Sequence, residues 1–290
     1  MHLVEVYCLS SEFVKFFEEK IIQKNKIGRK SHLSREEFIT IGILKQQLGI
    51  QTNKQLYYLV KEKYNKDFPN IPSYQQFSQG LKDNFIYLML IDNLICVMNR
   101  QKKQNLFIID SMPLPICSNG HRYKLKTGKG LAGAGKNLNG WYYGFKLNLI
   151  INLNMEIVSM KITSGNTKDI AALDKSMIKG LKGLLVGDKG YISKRKTEEL
   201  LKLGIRLITR SRKNMKQLPS EKLHILALKN RIKIESVFSK LKYRFNLVNK
   251  YARSLEGYFS QLFSAILNFH MGKINDFSLF LDDFERIVIS

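Results

Sequence analysis

Three carboxylates stand out by type and setting: Asp110, Asp188 and Glu235. Asp110 closes the apolar run Leu106-Phe107-Ile108-Ile109, and Asp188 closes Gly183-Leu184-Leu185-Val186-Gly187. A short, unbroken apolar run reads as a strand covered on both faces. An aspartate ending such a strand is expensive to desolvate, so it usually binds a cation or does chemistry there. The competing reading of Asp110 is a turn aspartate that caps the next segment, because Ser111-Met112-Pro113 follows at once. Glu235 sits among Ile232, Ile234, Val237 and Phe238 in a helical run over Glu221–Lys242, four residues after Arg231. The plain alternative there is an exposed ion pair worth little. Brought together, three carboxylates repel one another unless a cation intervenes. Hard divalent cations such as Mg2+ take all-oxygen donors. Two of them about 3.5–4 Å apart would activate an attacking oxygen and stabilise a leaving one, the demand of phosphodiester cleavage.

The elements that must position these groups are readable in outline. Residues 1–100 read as helical. Ser11 is a candidate helix cap, Ser34-Arg35-Glu36-Glu37 a capping box opening a helix to about Leu48, and Gly49 its stop. Thr52 or Asn53 starts the next helix, Ser73 another, and a further one spans about Asp83 to Arg100. Helix, glycine turn, helix fits a helix-turn-helix module, and equally a plain helical bundle. After Asp110, the glycine- and lysine-rich stretch from Ser118 to Asn139 reads as a flexible basic loop or a linker. Trp141–Asn152 and Met155–Thr163 read as a hairpin turning at Leu153-Asn154. A short helix over Ile170–Lys182, the strand ending at Asp188, a helix over Lys194–Leu203 and a strand over Ile205–Thr209 follow.

Three strands, a helix, a strand, a helix and a strand is the order of a ribonuclease-H-like α/β fold, a mixed sheet carrying an antiparallel hairpin. In that fold the first and fourth strands are neighbours, so Asp110 and Asp188, 78 residues apart, meet at their ends. A helix 47 residues further on supplies Glu235.

The chain of 290 residues carries a net charge of +24, from 48 basic and 24 acidic residues. The excess is uneven: +4 over residues 1–100 and +20 over residues 101–290. Such a field favours a polyanion, and nucleic acid is the usual one. Lysines outnumber arginines 36 to 12, so compositional bias accounts for part of the charge, though not for its placement. Cys8, Cys96 and Cys117 stand far apart, with neither zinc-ligand spacing nor a disulfide framework. No signal peptide is evident, and the most apolar helical run, Phe85–Met98, is too short and too polar to span a bilayer. A cytoplasmic location follows as the expectation.

Five short stretches give these residues a family setting. They are Asp110-Ser111-Met112-Pro113-Leu114-Pro115, Tyr143-Gly144-Phe145-Lys146-Leu147, Thr163-Ser164-Gly165-Asn166, Gly187-Asp188-Lys189-Gly190-Tyr191, and Ile234 to Lys242. With them the chain resembles bacterial insertion-sequence transposases of the DDE type, most closely insertion-sequence family 982. A related signature of Tyr, Arg, Glu and Lys falls on Leu228, Arg231, Glu235 and Lys242, with leucine in place of the tyrosine. Asn148 stands where relatives in the wider group often carry histidine.

The resemblance implies a helical DNA-binding domain over 1–103, a ribonuclease-H-like DDE domain over 104–273 and a tail over 274–290. It implies Asp110, Asp188 and Glu235 as catalytic metal ligands for two Mg2+ ions, with Mn2+ as a substitute. Arg231 and Lys242 would contact DNA or orient Glu235, and Lys146, Lys189, Arg212 and Lys213 complete the basic DNA-contacting set. The implied activity is cleavage at terminal inverted repeats and 3′-hydroxyl strand transfer into target double-stranded DNA. A homodimer or higher assembly on DNA, away from membranes and associated with the nucleoid when bound, would carry it out. Two other readings stand beside it: a structure-specific nuclease on the same fold, and a non-catalytic DNA-binding repressor.

Overall fold

A computed structural model describes residues 3–20, 31–209, 228–247, 253–274 and 276–289. In chain order the helices are α1 (Leu3–Lys20), α2 (Arg35–Gln47), α3 (Asn53–Lys63), α4 (Tyr74–Asp83) and α5 (Phe85–Gln101). Then come α6 (Asp169–Ala172), α7 (Lys175–Ile178), α8 (Lys194–Lys202), α9 (Ile232–Ser239), α10 (Leu255–Met271) and α11 (Phe277–Ile289). The strands are β1 (Leu106–Ser118), β2 (Gly133–Asn137), β3 (Gly140–Asn152), β4 (Ile157–Ser164), β5 (Gly183–Gly187) and β6 (Ile205–Thr209). Two compact units form: residues 1–94 with 240–290, and residues 95–239.

The first unit is helical. Ser34, Thr52 and Ser73 each close a full capping box, with Glu37, Gln55 and Gln76 reaching back. Gly49 takes a φ of +65° between α2 and α3, a conformation that favours glycine. Across that turn the buried Lys45 donates to Asn53 Oδ1 at 2.7 Å and ties the start of α3 to α2. Leu33, Phe38, Ile41, Leu56, Val60, Phe68, Phe77 and Leu81 make a continuous core. α10 lies against α2 and α4, with Asn268 donating to the Ile43 carbonyl at 3.1 Å and Ser260 to that of Leu81 at 2.7 Å. Ser11 does not cap a helix: α1 runs through it, because the apolar positions Val6, Leu9, Phe13 and Phe17 keep helical spacing across it.

The second unit is a mixed sheet with order β2-β3-β1-β5-β6, and β4 on the β2 side of β3. The long β3 pairs with β2 through residues 140–144 and with β4 through residues 145–151. β1 runs antiparallel to β3 and parallel to β5, and β5 parallel to β6. This is the ribonuclease-H-like arrangement. One face buries Phe107, Ile109, Ile150, Leu173, Met177, Leu185 and Leu200. The other packs Leu106, Leu184, Val186 and Ile208 against Leu228.

Four local expectations are corrected. Asp110 does not end its strand, since β1 continues to Ser118 against β3, while the pairing with β5 stops at Ile108–Val186. Beyond that point β1 pairs on one side only. Ser111 gives its amide to Asp110 Oδ1, and Pro113 and Pro115, of the same parity, have none to give, so the missing partner strands no donor. The glycine-rich stretch is not a loop throughout: it holds a 3-10 turn over Asn119–Lys124 and the edge strand β2. The hairpin turn spans three residues, with Met155 at φ +60° and Asn152 Oδ1 accepting from the amides of Asn154 and Glu156. The helix expected over Ile170–Lys182 is two short ones, because Asp174 caps the second by accepting from Ser176 and Met177 amides.

Candidate active site

Continuing the β1–β5 register two residues past Ile108–Val186 sets Asp110 opposite Asp188. β5 ends at this carboxyl edge, the usual ligand crevice of open α/β sheets, while β1 runs on past it against β3 alone. β4 runs in the same direction as β1, so the segment after it, with Asp169, emerges at that edge too.

Asp110 is held from two sides. Its Oδ1 accepts from the Ser111 amide at 2.8 Å, and its Oδ2 lies 3.6 Å from Arg231 Nη2. Burial pushes its pKa up to about 6, with the Asp188 and Asp169 charges adding to the rise and the Ser111 amide and Arg231 opposing it. Asp188 accepts from the Gly190 amide at 2.7 Å and starts a 3-10 turn, Lys189–Tyr191. A Cβ on Gly190 would stand 3.0 Å from both Asp188 Oδ1 and Asp169 Oδ2, which explains a glycine there. Tyr191 is fully buried, and its hydroxyl has no hydrogen-bond partner among the described residues. Burial, then the charges of Asp110, Asp169 and Asp188, hold its pKa far above the phenolic range.

Glu235 projects from α9, which is fixed to the unit by buried Ile234 and Val237 and by Lys233 donating to the Leu153 carbonyl at 2.8 Å. The Glu235 side chain is 59% exposed, and Arg231 Nη2 reaches its Oε1 at 3.4 Å. The same guanidinium nitrogen therefore bridges Asp110 and Glu235. Among the described residues no three His, Cys, Asp or Glu side chains are drawn together tightly enough to hold a metal ion. The donor chemistry still suits a hard cation: the groups are carboxylates, and Asp110 is raised first by burial and then by the negative charges of Asp188 and Asp169.

The other expected residues distribute as follows. Lys146 is mostly buried and committed to Asp169 Oδ1 and the Thr167 carbonyl, each at 2.9 Å. Lys189 is exposed beside Asp188. Lys242 is exposed and belongs to the helical unit, its Nζ 5.1 Å from the Tyr243 ring centroid. Lys242 lies in a π-helical turn over Lys240–Arg244. Arg212 and Lys213 lie outside the described residues, as does the helical run from Glu221 to Ala227. Leu228 packs against Val186 and Ile208. Asn148 is fully buried and donates to the Lys161 carbonyl and Thr163 Oγ1, so it serves the β3–β4 pair.

Sequence reasoning missed Asp169, Ser111 and Tyr191 as members of this cluster. A signal for Asp169 exists: it is an aspartate soon after a strand that runs parallel to the two aspartate-bearing ones.

Comparison with known proteins agrees with this geometry. No curated protein matches the sequence. Among solved structures, a piggyBac transposase, seen by cryo-electron microscopy in a synaptic complex with hairpin DNA, matches with a TM-score of 0.52 at 9% identity. The match covers 99% of this chain and 77% of that one, a likeness of fold. The family model described as "Transposase DDE domain" matches residues 100–255, more than half of the chain and the whole stretch holding Asp110, Asp188 and Glu235. The chain therefore belongs to the DDE-domain transposases.

Proposed function

We propose that the chain is an insertion-sequence transposase, of the family-982 kind, that cuts DNA at its element's terminal inverted repeats and joins the freed 3′-hydroxyl to target DNA. The observation that carries this is the convergence of Asp110 and Asp188 where the pairing of β1 with β5 ends, with Glu235 linked to Asp110 through Arg231. Asp110 and Asp188 would hold a divalent cation, Mg2+ or Mn2+, with Glu235 joining them. When bound, the metal supplies charge neutralisation at the attacking and leaving oxygens.

The protein's own part is positional and electrostatic. The sheet edge fixes the two aspartates, and the Ser111 and Gly190 amides select their rotamers. Arg231 balances the charge of Asp110 and Glu235, and it is placed to turn toward a scissile phosphate once they are otherwise neutralised. Lys189, exposed at the same edge, adds a phosphate contact.

The DNA reader we assign to residues 1–103. α3 buries Leu56 and Val60, half-buries Asn53, Tyr57 and Leu59, and exposes Lys54, Gln55, Tyr58, Lys61, Glu62 and Lys63, an open face of the kind a groove-reading helix requires. The synaptic complex described for the piggyBac transposase supports a similar pairing of ends here, by two or more copies.

The test is incubation of labelled DNA carrying the element's ends with full-length protein and Mg2+. Cleavage at the repeat boundary followed by joined products is expected. Cleavage without joining would favour a nuclease, and binding without cleavage a repressor.

A further inference from the structure

Asp169 stands apart from the three carboxylates treated above, yet it belongs to the same bonded cluster at this sheet edge. Its Oδ1 accepts from Ser111 Oγ at 2.8 Å and from Lys146 Nζ at 2.9 Å. Lys146 is held in turn by the Thr167 carbonyl. Ser111 gives its own amide to Asp110 Oδ1. An unbroken series of hydrogen bonds thus runs from Lys146 through Asp169 and Ser111 to Asp110. The other oxygen of Asp169, Oδ2, shares with Asp188 Oδ1 a 3.0 Å approach to one point beside Gly190. The buried Tyr191 hydroxyl, without a partner among the described residues, feels Asp110, Asp169 and Asp188 together.

The position of Ser111 gives this series a purpose. Side chains alternate along a strand, so Ser111 points to the face opposite Asp110. It also lies where β1 has lost its parallel neighbour, β5 having stopped pairing at Ile108–Val186. The backbone that aims Asp110 is therefore supported by β3 on one side only. Asp169 supplies a second support from behind the sheet. A ligating carboxylate whose orientation is not fixed binds a metal more weakly, because ordering it must then be paid at binding.

We propose that Asp169 is a positioning residue of the cation site: it clamps Ser111, and through the Ser111 amide it sets Asp110, with Lys146 as its fixed counter-charge. This rests on the proposed function, in which Asp110 holds the cation. The bland alternative is a clamp that only pins the segment after β4 to the sheet.

Mn2+ binding to the full-length protein, followed by electron paramagnetic resonance without DNA, separates the two, with thermal unfolding alongside. Asp169→Ala and Ser111→Ala are each expected to weaken Mn2+ binding about 10- to 100-fold, the scale for lost outer hydrogen bonds to ligands. The double variant should be little weaker than either single one, since both break the same series. Asp169→Asn keeps an acceptor oxygen and should retain much of the affinity. Unchanged Mn2+ affinity in Ser111→Ala, or additive losses in the double variant, would overturn the proposal, even if Asp169→Ala fails to fold. Asp110→Ala is the separate control: binding as tight as wild type there would remove the cation from Asp110 and defeat the functional reading itself.

Discussion

Asp110 in the sheet unit and Asp92 in the helical unit are both pushed above the ordinary carboxylate range by burial. Their surroundings differ. Asp92 is wholly buried on α5, neither oxygen has a hydrogen-bond partner among the described residues, and His270 lies 4.0 Å away. Asp110 keeps 17% of its side chain exposed, and it faces an amide, a guanidinium and two further carboxylates. Burial alone, then, does not mark a reactive acid. What marks Asp110 is convergence of charges around a carboxylate that keeps part of its surface exposed. Asp92 has neither feature and reads as a stability liability in a helical core.

The contrast can be broken most sharply at the sheet edge. Asp110→Ala or Asp188→Ala should slow DNA cleavage by about 1,000-fold or more, the upper range for losing one transition-state-stabilising group. DNA affinity, carried mainly by lysine and arginine contacts to phosphates, should persist in a gel-shift assay. Near-normal cleavage in either variant would make the substituted aspartate as idle as Asp92.

Arg231→Ala tests the bridge between Asp110 and Glu235. Cleavage should fall about 10- to 100-fold. Because Arg231 lowers the Asp110 pKa, the acid limb of the pH–rate profile should move to higher pH in the variant. An unmoved profile would mean that the contact at 3.6 Å has no bearing on Asp110.

Asp92→Asn sharpens the other side of the comparison, with a smaller effect of a few degrees in melting temperature. The unfolded chain releases the Asp92 proton near pH 4, whereas the folded protein keeps it to higher pH. Above pH 4 the unfolded state therefore binds fewer protons, and wild-type stability falls as pH rises. The variant lacks that loss. Its advantage should be near zero at pH 4, grow as pH rises, and level off once folded Asp92 also ionises, with cleavage unchanged throughout. A variant less stable than wild type at pH 7 would show Asp92 engaged as an ion in the folded state.

How much of this was legible in the sequence varied with how local the cause is. The capping box at Ser34 is set by residues three apart and reads directly, whereas the start of the next helix reads only as Thr52 or Asn53 and the structure shows a capping box at Thr52. The strand before Asp188 reads equally well, because β5 is buried on both faces and ends where its apolar run ends. β1 misled because its two neighbours stop at different places, a fact of pairing that its own residues do not carry. β2 misled for the same reason: Gly133-Ala134-Gly135 has little strand propensity and is made a strand by β3. The bond from Asp169 to Ser111 spans 58 residues and is invisible to any local pattern.

The most direct test of the central claim, that Asp110 holds a divalent cation during DNA cleavage, is the metal preference of Asp110→Cys. A thiolate is a poor ligand for Mg2+, and softer cations tolerate it better. Cleavage of labelled element ends by this variant should be lost in Mg2+ and partly restored in Mn2+, while Asp110→Ala stays inactive in both. Equal activity of Asp110→Cys in the two metals, or equal inactivity beside a wild type active in both, would contradict the account.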